Sequence, residues 1–195
     1  TVNQPNAFPA SFTGNGQGCP NGGVFYELFP GGTEDVANSS WELAPVAQGY
    51  NVTQGTGTFE TPVTSVPSGD DQVLGPFNLP FSFGYTGGTT MSVEVSSNGY
   101  VYLQAGTITG ARCCAGNVPD FSSEAASIAV FGTDLNPSVG GQVFVDQFTG
   151  PDRFVVTWQG VPQFGQSNAI DAQVQLYADG RIVLAYGNVI GLSNN

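Results

Sequence analysis

The sequence predicts an all-β protein, an antiparallel β-sandwich with little or no helix. Three observations predict it. From Leu79 to Val189 short apolar or alternating runs follow one another: LPFSFGY, VSSNGYVYL, IAVFGTDLNPSVGGQVFVD, RFVVTWQGVPQF and DAQVQLYADGRIVLAYGNV. Turn dipeptides such as Asn98-Gly99 and Asp179-Gly180 close them, and 28 glycines with 13 prolines suit many short strands. No stretch long enough for a helix carries a 3.6-residue apolar period. A chain of 195 residues, 40% apolar, buries a core without needing disulfides, and one domain is its simplest division.

The elements follow in order. Residues 1–22 are rich in Asn, Gly, Pro and Gln and read as an extended arm, which leaves 23–195 as a single sandwich domain. Val24–Phe29 (VFYELF) reads as a strand bounded by Pro30-Gly31-Gly32, and Trp41–Val46 with Gly49–Thr53 as a weak hairpin. Gln54–Asp71 is a Gly/Thr/Pro/Ser tract, a linker or irregular edge. Alternation puts Met91, Val93 and Val95 on one strand face and Glu94 on the other. Asn98-Gly99 supplies two residues that tolerate positive φ, as a type I′ hairpin requires. Ser122–Ser127 allows one helical turn, and the uninterrupted Ile128–Phe131 predicts a central strand covered on both faces. Gln142–Asp146 and Arg153–Trp158 form a hairpin about Gly150-Pro151-Asp152, with Trp158 on the core face of Phe154 and Val156. Ala172, Val174 and Leu176 alternate with Gln173, Gln175 and Tyr177. A two-residue Asp179-Gly180 turn then pairs Leu176 with Val183 and Val174 with Ala185.

In this order the blocks LPFSFGY, VSSNGYVYL, IAVFGTDLNP, VTWQGVP and QLYADGRIVLAYGNV resemble the NIDO domain of nidogen-like extracellular proteins, bacterial type, over about residues 72–191. The resemblance implies a secreted or cell-surface, noncatalytic sandwich used in adhesion or matrix assembly, and it brings no catalytic motif to transfer. Its relatives often continue into a closing strand beyond the point where this chain reads Gly191-Leu192-Ser193-Asn194-Asn195. Either Val24–Phe29 fills that edge, or the edge is open to another molecule. In the second case the arm pairs with a neighbour's edge by strand exchange, giving a self-assembling filament or matrix subunit.

Charge and residue usage narrow the chemistry. Fifteen acidic residues face three arginines, with no lysine and no histidine, for a net charge of −12. Such a surface repels phosphate backbones and anionic lipid, so no nucleic-acid partner is expected. No apolar run is long enough for a membrane-embedded helix. Without an imidazole or a lysine, nucleophilic triads lack their base, and the expectation is that the protein is not an enzyme. An acidic glycoside hydrolase needs only two carboxylates, so Asp134, Asp146, Glu94 and Asp171 keep that alternative formally open. A polysaccharide-binding module is the other alternative, with Tyr100, Tyr102, Trp158, Phe164, Tyr177 and Tyr186 available for stacking.

No cofactor is expected apart from calcium. Asp134, Asn136 and Ser138 at alternate positions, followed by Gly140-Gly141 and Asp146, offer hard oxygen ligands. The spacing opens like an EF-hand loop and then departs from it, with Val139 where the glycine belongs and no glutamate at the twelfth position. The competing reading is a turn in which Asp134 and Asn136 cap backbone amides. Asp70-Asp71 is a second acidic candidate. Cys19, Cys113 and Cys114 allow one disulfide with an open choice of pair, Cys19 bridging to one of the adjacent two. Sequons stand at Asn38 and Asn51, at a frequency chance also supplies. A start at Thr1 fits a processed secreted protein and a trimmed chain equally.

Overall fold

The computed structural model describes residues 34–47, 49–55, 57–106, 110–112 and 125–189. The arm, Val24–Phe29, all three cysteines and the first half of the Ser122–Ser127 segment lie outside them. Eleven strands are formed among the described residues: β1 (Ser40–Val46), β2 (Gly49–Gln54), β3 (Ser65–Val66), β4 (Val73–Tyr85), β5 (Gly88–Ser96), β6 (Tyr100–Tyr102), β7 (Ser127–Ala129), β8 (Gln142–Phe148), β9 (Arg153–Pro162), β10 (Ala169–Tyr177) and β11 (Ile182–Val189). They make a seven-stranded sheet, β2-β1-β11-β10-β9-β8-β3, and a four-stranded sheet, β4-β5-β6-β7. Every pairing is antiparallel.

Alternation decides what fills the space between the sheets. Val93 and Val95 of β5, Val101 of β6, Phe154, Val156 and Trp158 of β9, and Val174 and Leu176 of β10 are all fully buried in one cluster. Trp158 therefore sits in the core beside Phe154 and Val156, and its indole Nε1 donates to Ser96 O of the opposite sheet at 3.1 Å. The hairpin of β8 and β9 forms about Gly150–Asp152, and β1 with β2 forms the weak hairpin the sequence suggests.

Four local expectations are corrected. Met91 is 57% exposed although Val93 and Val95 on its face are buried, because it lies towards the outer end of β5. The apolar run at Ile128 contributes to β7, the end strand of the smaller sheet among the described residues, where Ile128 is only half-buried. Residues beyond it, Val130 and Phe131, turn into the core. The hairpin of β10 and β11 is shifted by one: Leu176 faces Ile182 and Val174 faces Leu184. Its loop is the three residues Ala178-Asp179-Gly180, with Gly180 at φ +88° and Tyr177 N bonded to Arg181 O. A glycine at positive φ ending a three-residue loop suits the strand twist as well as a two-residue turn does, and only the register distinguishes them.

The last correction concerns the sheet's closure. Strand β11 is not at an edge; β1 pairs with it through Ser40↔Ala185 to Leu43↔Ile182, and β2 extends the sheet beyond. Residues 57–64 cross the outer face of the larger sheet as a strap. The fully buried Gln173 accepts from Glu60 N (2.9 Å) and donates to Glu60 O (2.6 Å), and Gln175 donates to Thr58 O (2.8 Å). The polar side of β10 is thus covered by backbone that matches it hydrogen bond for hydrogen bond.

Candidate functional site

The turn after β5 organises a cluster of three carboxylates contributed by two loops. Asn98 and Gly99 follow β5, and Gly99 takes φ +83°, which only a glycine enters without strain. A Cβ there would meet Phe131 O at 2.4 Å, so the turn and the Phe131 backbone are in direct contact. That contact carries the segment after β7 beneath the turn, where Val130 N donates to Gly99 O at 3.0 Å.

Asn98 is completely buried and joins two loops. Its Nδ2 donates to Asp71 Oδ1 at 2.9 Å, and its Oδ1 accepts from Leu135 N at 2.8 Å. Asp71 comes from the loop before β4 and sits at φ +50°; Leu135 comes from the loop before β8. One asparagine side chain therefore fixes the distance between Asp70-Asp71 and Asp134. The Asp134 loop is held from the other side as well, with Phe164 N donating to Asp134 O (2.8 Å) and Asn136 N to Pro162 O (2.9 Å).

The result is a carboxylate triad of Asp70, Asp71 and Asp134, with one oxygen from each within 4.8 Å of the others. Asp71 is exposed and Asp134 is buried. Burial pushes the Asp134 carboxyl above the usual carboxylate range, and the charges of Asp71 and Asp70 push it the same way. Asp70 is also raised, by desolvation first and by Asp71 second, with the Asp71 amide pulling back. Among the described residues no donor reaches Asp134 Oδ1 or Asp70 Oδ1, both shielded from solvent.

The residues singled out from the sequence divide between this triad and other tasks. Asp134 belongs to the triad, with Asp70 and Asp71. Asn136 Oδ1 accepts from Ser138 N (2.9 Å) and from the Ser138 hydroxyl, an Asx turn that orders the loop. Asp146 lies on β8, where its oxygens accept from Val63 N (3.0 Å) and Thr64 N (2.8 Å) and fasten the strap. Glu94 accepts from Gly106 N (3.0 Å), and Asp171 from Gly160 N (2.7 Å). The sequons place Asn38 in an exposed turn and Asn51 on the exposed side of β2. The sequence marks Asn98 as a turn residue and gives no sign of its bridging role. Its partners lie 27 and 37 residues away, beyond the reach of any local pattern.

A family model described as NIDO related matches residues 49–195, well over half of the chain. The chain belongs to the NIDO-related family. No curated protein and no solved structure matches it. In this NIDO-related domain the aromatics proposed for stacking serve mostly as scaffold. Tyr100 and Tyr102 are buried and stacked at 6.2 Å, with Arg112 over both rings, and the Tyr186 hydroxyl donates to Val130 O. Arg181 covers Tyr177, and Phe164 alone of the six is largely exposed. The domain holds no helix among the described residues long and apolar enough to cross a membrane.

Proposed function

We propose that this NIDO-related sandwich is a noncatalytic structural or adhesion module of the extracellular space or cell surface, working through a free sheet edge. One observation carries the edge: the larger sheet ends on β2, and no strand among the described residues pairs with its outer side. Gly55 N donates to Ser40 O at 2.7 Å, and Trp41 faces Gln54. With that register, alternation turns the backbone groups of Gln54, Val52 and Tyr50 outward.

Natural edges are guarded by charges, prolines or short length. Strand β4, at one end of the smaller sheet, carries Pro76 and Pro80, while β3 and β7 have two and three residues. The β2 sequence GYNVTQ has six residues, no charge and no proline. It is the edge fitted to accept a strand, and the arm of residues 1–22 of a second copy supplies one of suitable reach.

Light scattering and electron microscopy of the purified full chain test this reading. Self-association that rises with concentration is expected, and both Gln54→Pro and deletion of residues 1–22 abolish it. Gln54→Pro removes an outward N–H and leaves the bonds to β1 intact. A strict monomer at every concentration, or assembly that persists in both variants, overturns strand exchange at β2.

A further inference from the structure

We propose that Asp70, Asp71 and Asp134 form a calcium site that ties the loop before β4 to the loop before β8. The inference is independent of the assembly reading and rests on a different part of the molecule.

Clustering of acids alone does not make a site. The second observation is Asp134 itself, 9% exposed, whose Oδ1 is shut off from solvent and reached by no donor among the described residues. Leaving a buried carboxylate oxygen without a partner is costly, more so with two other carboxylates beside it. Among the described residues the charges acting on Asp134 are those two carboxylates, with no positive group to offset them. The chain has few cations to offer. Arg153 pairs with Glu60, Arg181 with Glu42 and Asp179, and Arg112 lies over Tyr100 and Tyr102 and reaches Ser127. A bound cation is the partner that this arrangement fits.

The chemistry selects the ion. All three ligands are hard oxygens, and the chain has no histidine, so soft or borderline metals are disfavoured. Calcium–oxygen bonds of about 2.3–2.6 Å place opposite ligands roughly 4.6–5.2 Å apart. Three oxygens spaced evenly around one ion lie up to about 4.5 Å apart at that bond length, so carboxylate oxygens within 4.8 Å of one another close on one calcium ion with shifts of at most a few tenths of an ångström. Magnesium keeps several waters and uses one or two carboxylates in a tighter octahedron, so three converging carboxylates favour the larger ion. Asn98 holds the two ligand-bearing segments at this separation, which lowers the ordering cost of binding. The ion would supply the positive charge at the point where the two loops meet.

The test is a calcium chloride titration of the chelator-treated full chain, read by calorimetric heat and by melting temperature. Saturable binding of one ion is expected, with Kd below about 10⁻³ M, as extracellular calcium modules show, and with a rise in melting temperature. Sodium chloride at matched ionic strength, and magnesium chloride at equal concentration, produce a smaller response without saturation in this range. Asp134→Asn and Asp71→Asn each weaken calcium binding by about tenfold or more, since affinity follows ligand charge. Both substitutions relieve repulsion, so the calcium-free variants melt no lower than the calcium-free parent. Asp71 is exposed and its Asn98 contact survives as an amide, so D71N reports even if D134N misfolds. A response matched by sodium chloride, the absence of saturable heat, or variants that bind like the parent overturns the site.

Discussion

Asn98 concentrates more structural consequence than any other polar side chain near the triad. It is fully buried and satisfied at Asp71, Leu135 and the Ala111 carbonyl, while its own amide donates to Ser96 Oγ. Asn98→Ala strands the Leu135 amide in the interior and releases Asp71. A cost of about 1–3 kcal/mol is expected from the unsatisfied donor, measured as a lower urea midpoint with an unchanged denaturant slope. An unaltered midpoint would show that the two loops hold their positions without it. Tyr177 gives a residue-scale pH dependence. Burial raises its phenol above the ordinary tyrosine range, Arg153 and Arg181 pull it back, and Glu60 and Glu42 push it up again. The folded state therefore disfavours tyrosinate. The unfolded chain loses this proton first, so stability falls as pH climbs through about 10 towards the folded value. Tyr177→Phe removes that component, and its stability curve between about pH 9 and pH 11 should be flatter than the parent's.

At the scale of elements, the strap over β10 and the turn after β5 carry the sharpest expectations. Gln173→Ala removes two bonds to Glu60, one to Thr157 Oγ1 at 2.8 Å and one accepted from Gln175 Nε2 at 3.1 Å. Loss of about 1–3 kcal/mol is expected for the buried groups left unpaired, together with faster proteolysis within residues 57–64. Proteolysis at the parent's rate would mean that Asp146, Gln175 and Arg153 fasten the strap without it. Gly99→Ala confronts both a positive φ and the Phe131 carbonyl, and a cost on the order of 3 kcal/mol follows, measurable by thermal denaturation. These elements also mark what the sequence makes legible. Period-two alternation identified the core faces of β5, β9 and β10, since burial acts on each side chain locally. The strap reads from sequence only as linker or irregular edge, because its partners Gln173, Gln175 and Asp146 come from the far half of the chain. The same holds for the triad: Asp134 and Asp70-Asp71 were separate candidates, and only the fold brings them together. The β10–β11 register slipped by one because Asp179-Gly180 suits both a two-residue and a three-residue loop, and the strands' alternation fits either alignment.

For the whole molecule, net charge sets the response to salt. Twelve excess negative charges on 195 residues repel one another, and monovalent ions screen exposed charges beyond about 10 Å at 0.1 M. Salt also weakens attraction, which works the other way. Attraction here is sparse: among the described residues the ion pairs are Arg153–Glu60, Arg181–Glu42 and Arg181–Asp179. The latter two are partly exposed, and such pairs contribute about 0–1 kcal/mol each. Arg153–Glu60, at 2.5 Å with side chains 11% and 22% exposed, is better protected from screening. Repulsion is therefore the larger exposed term, and sodium chloride should raise the melting temperature monotonically between about 0.01 and 0.5 M. Edge association through the uncharged β2 should strengthen over the same range, because two copies each carrying −12 must approach before their backbones can bond. A melting temperature that falls with salt would place the stabilising electrostatics in the three arginine pairs, and association weakened by salt would mean that charge complementarity rather than the bare edge draws the copies together.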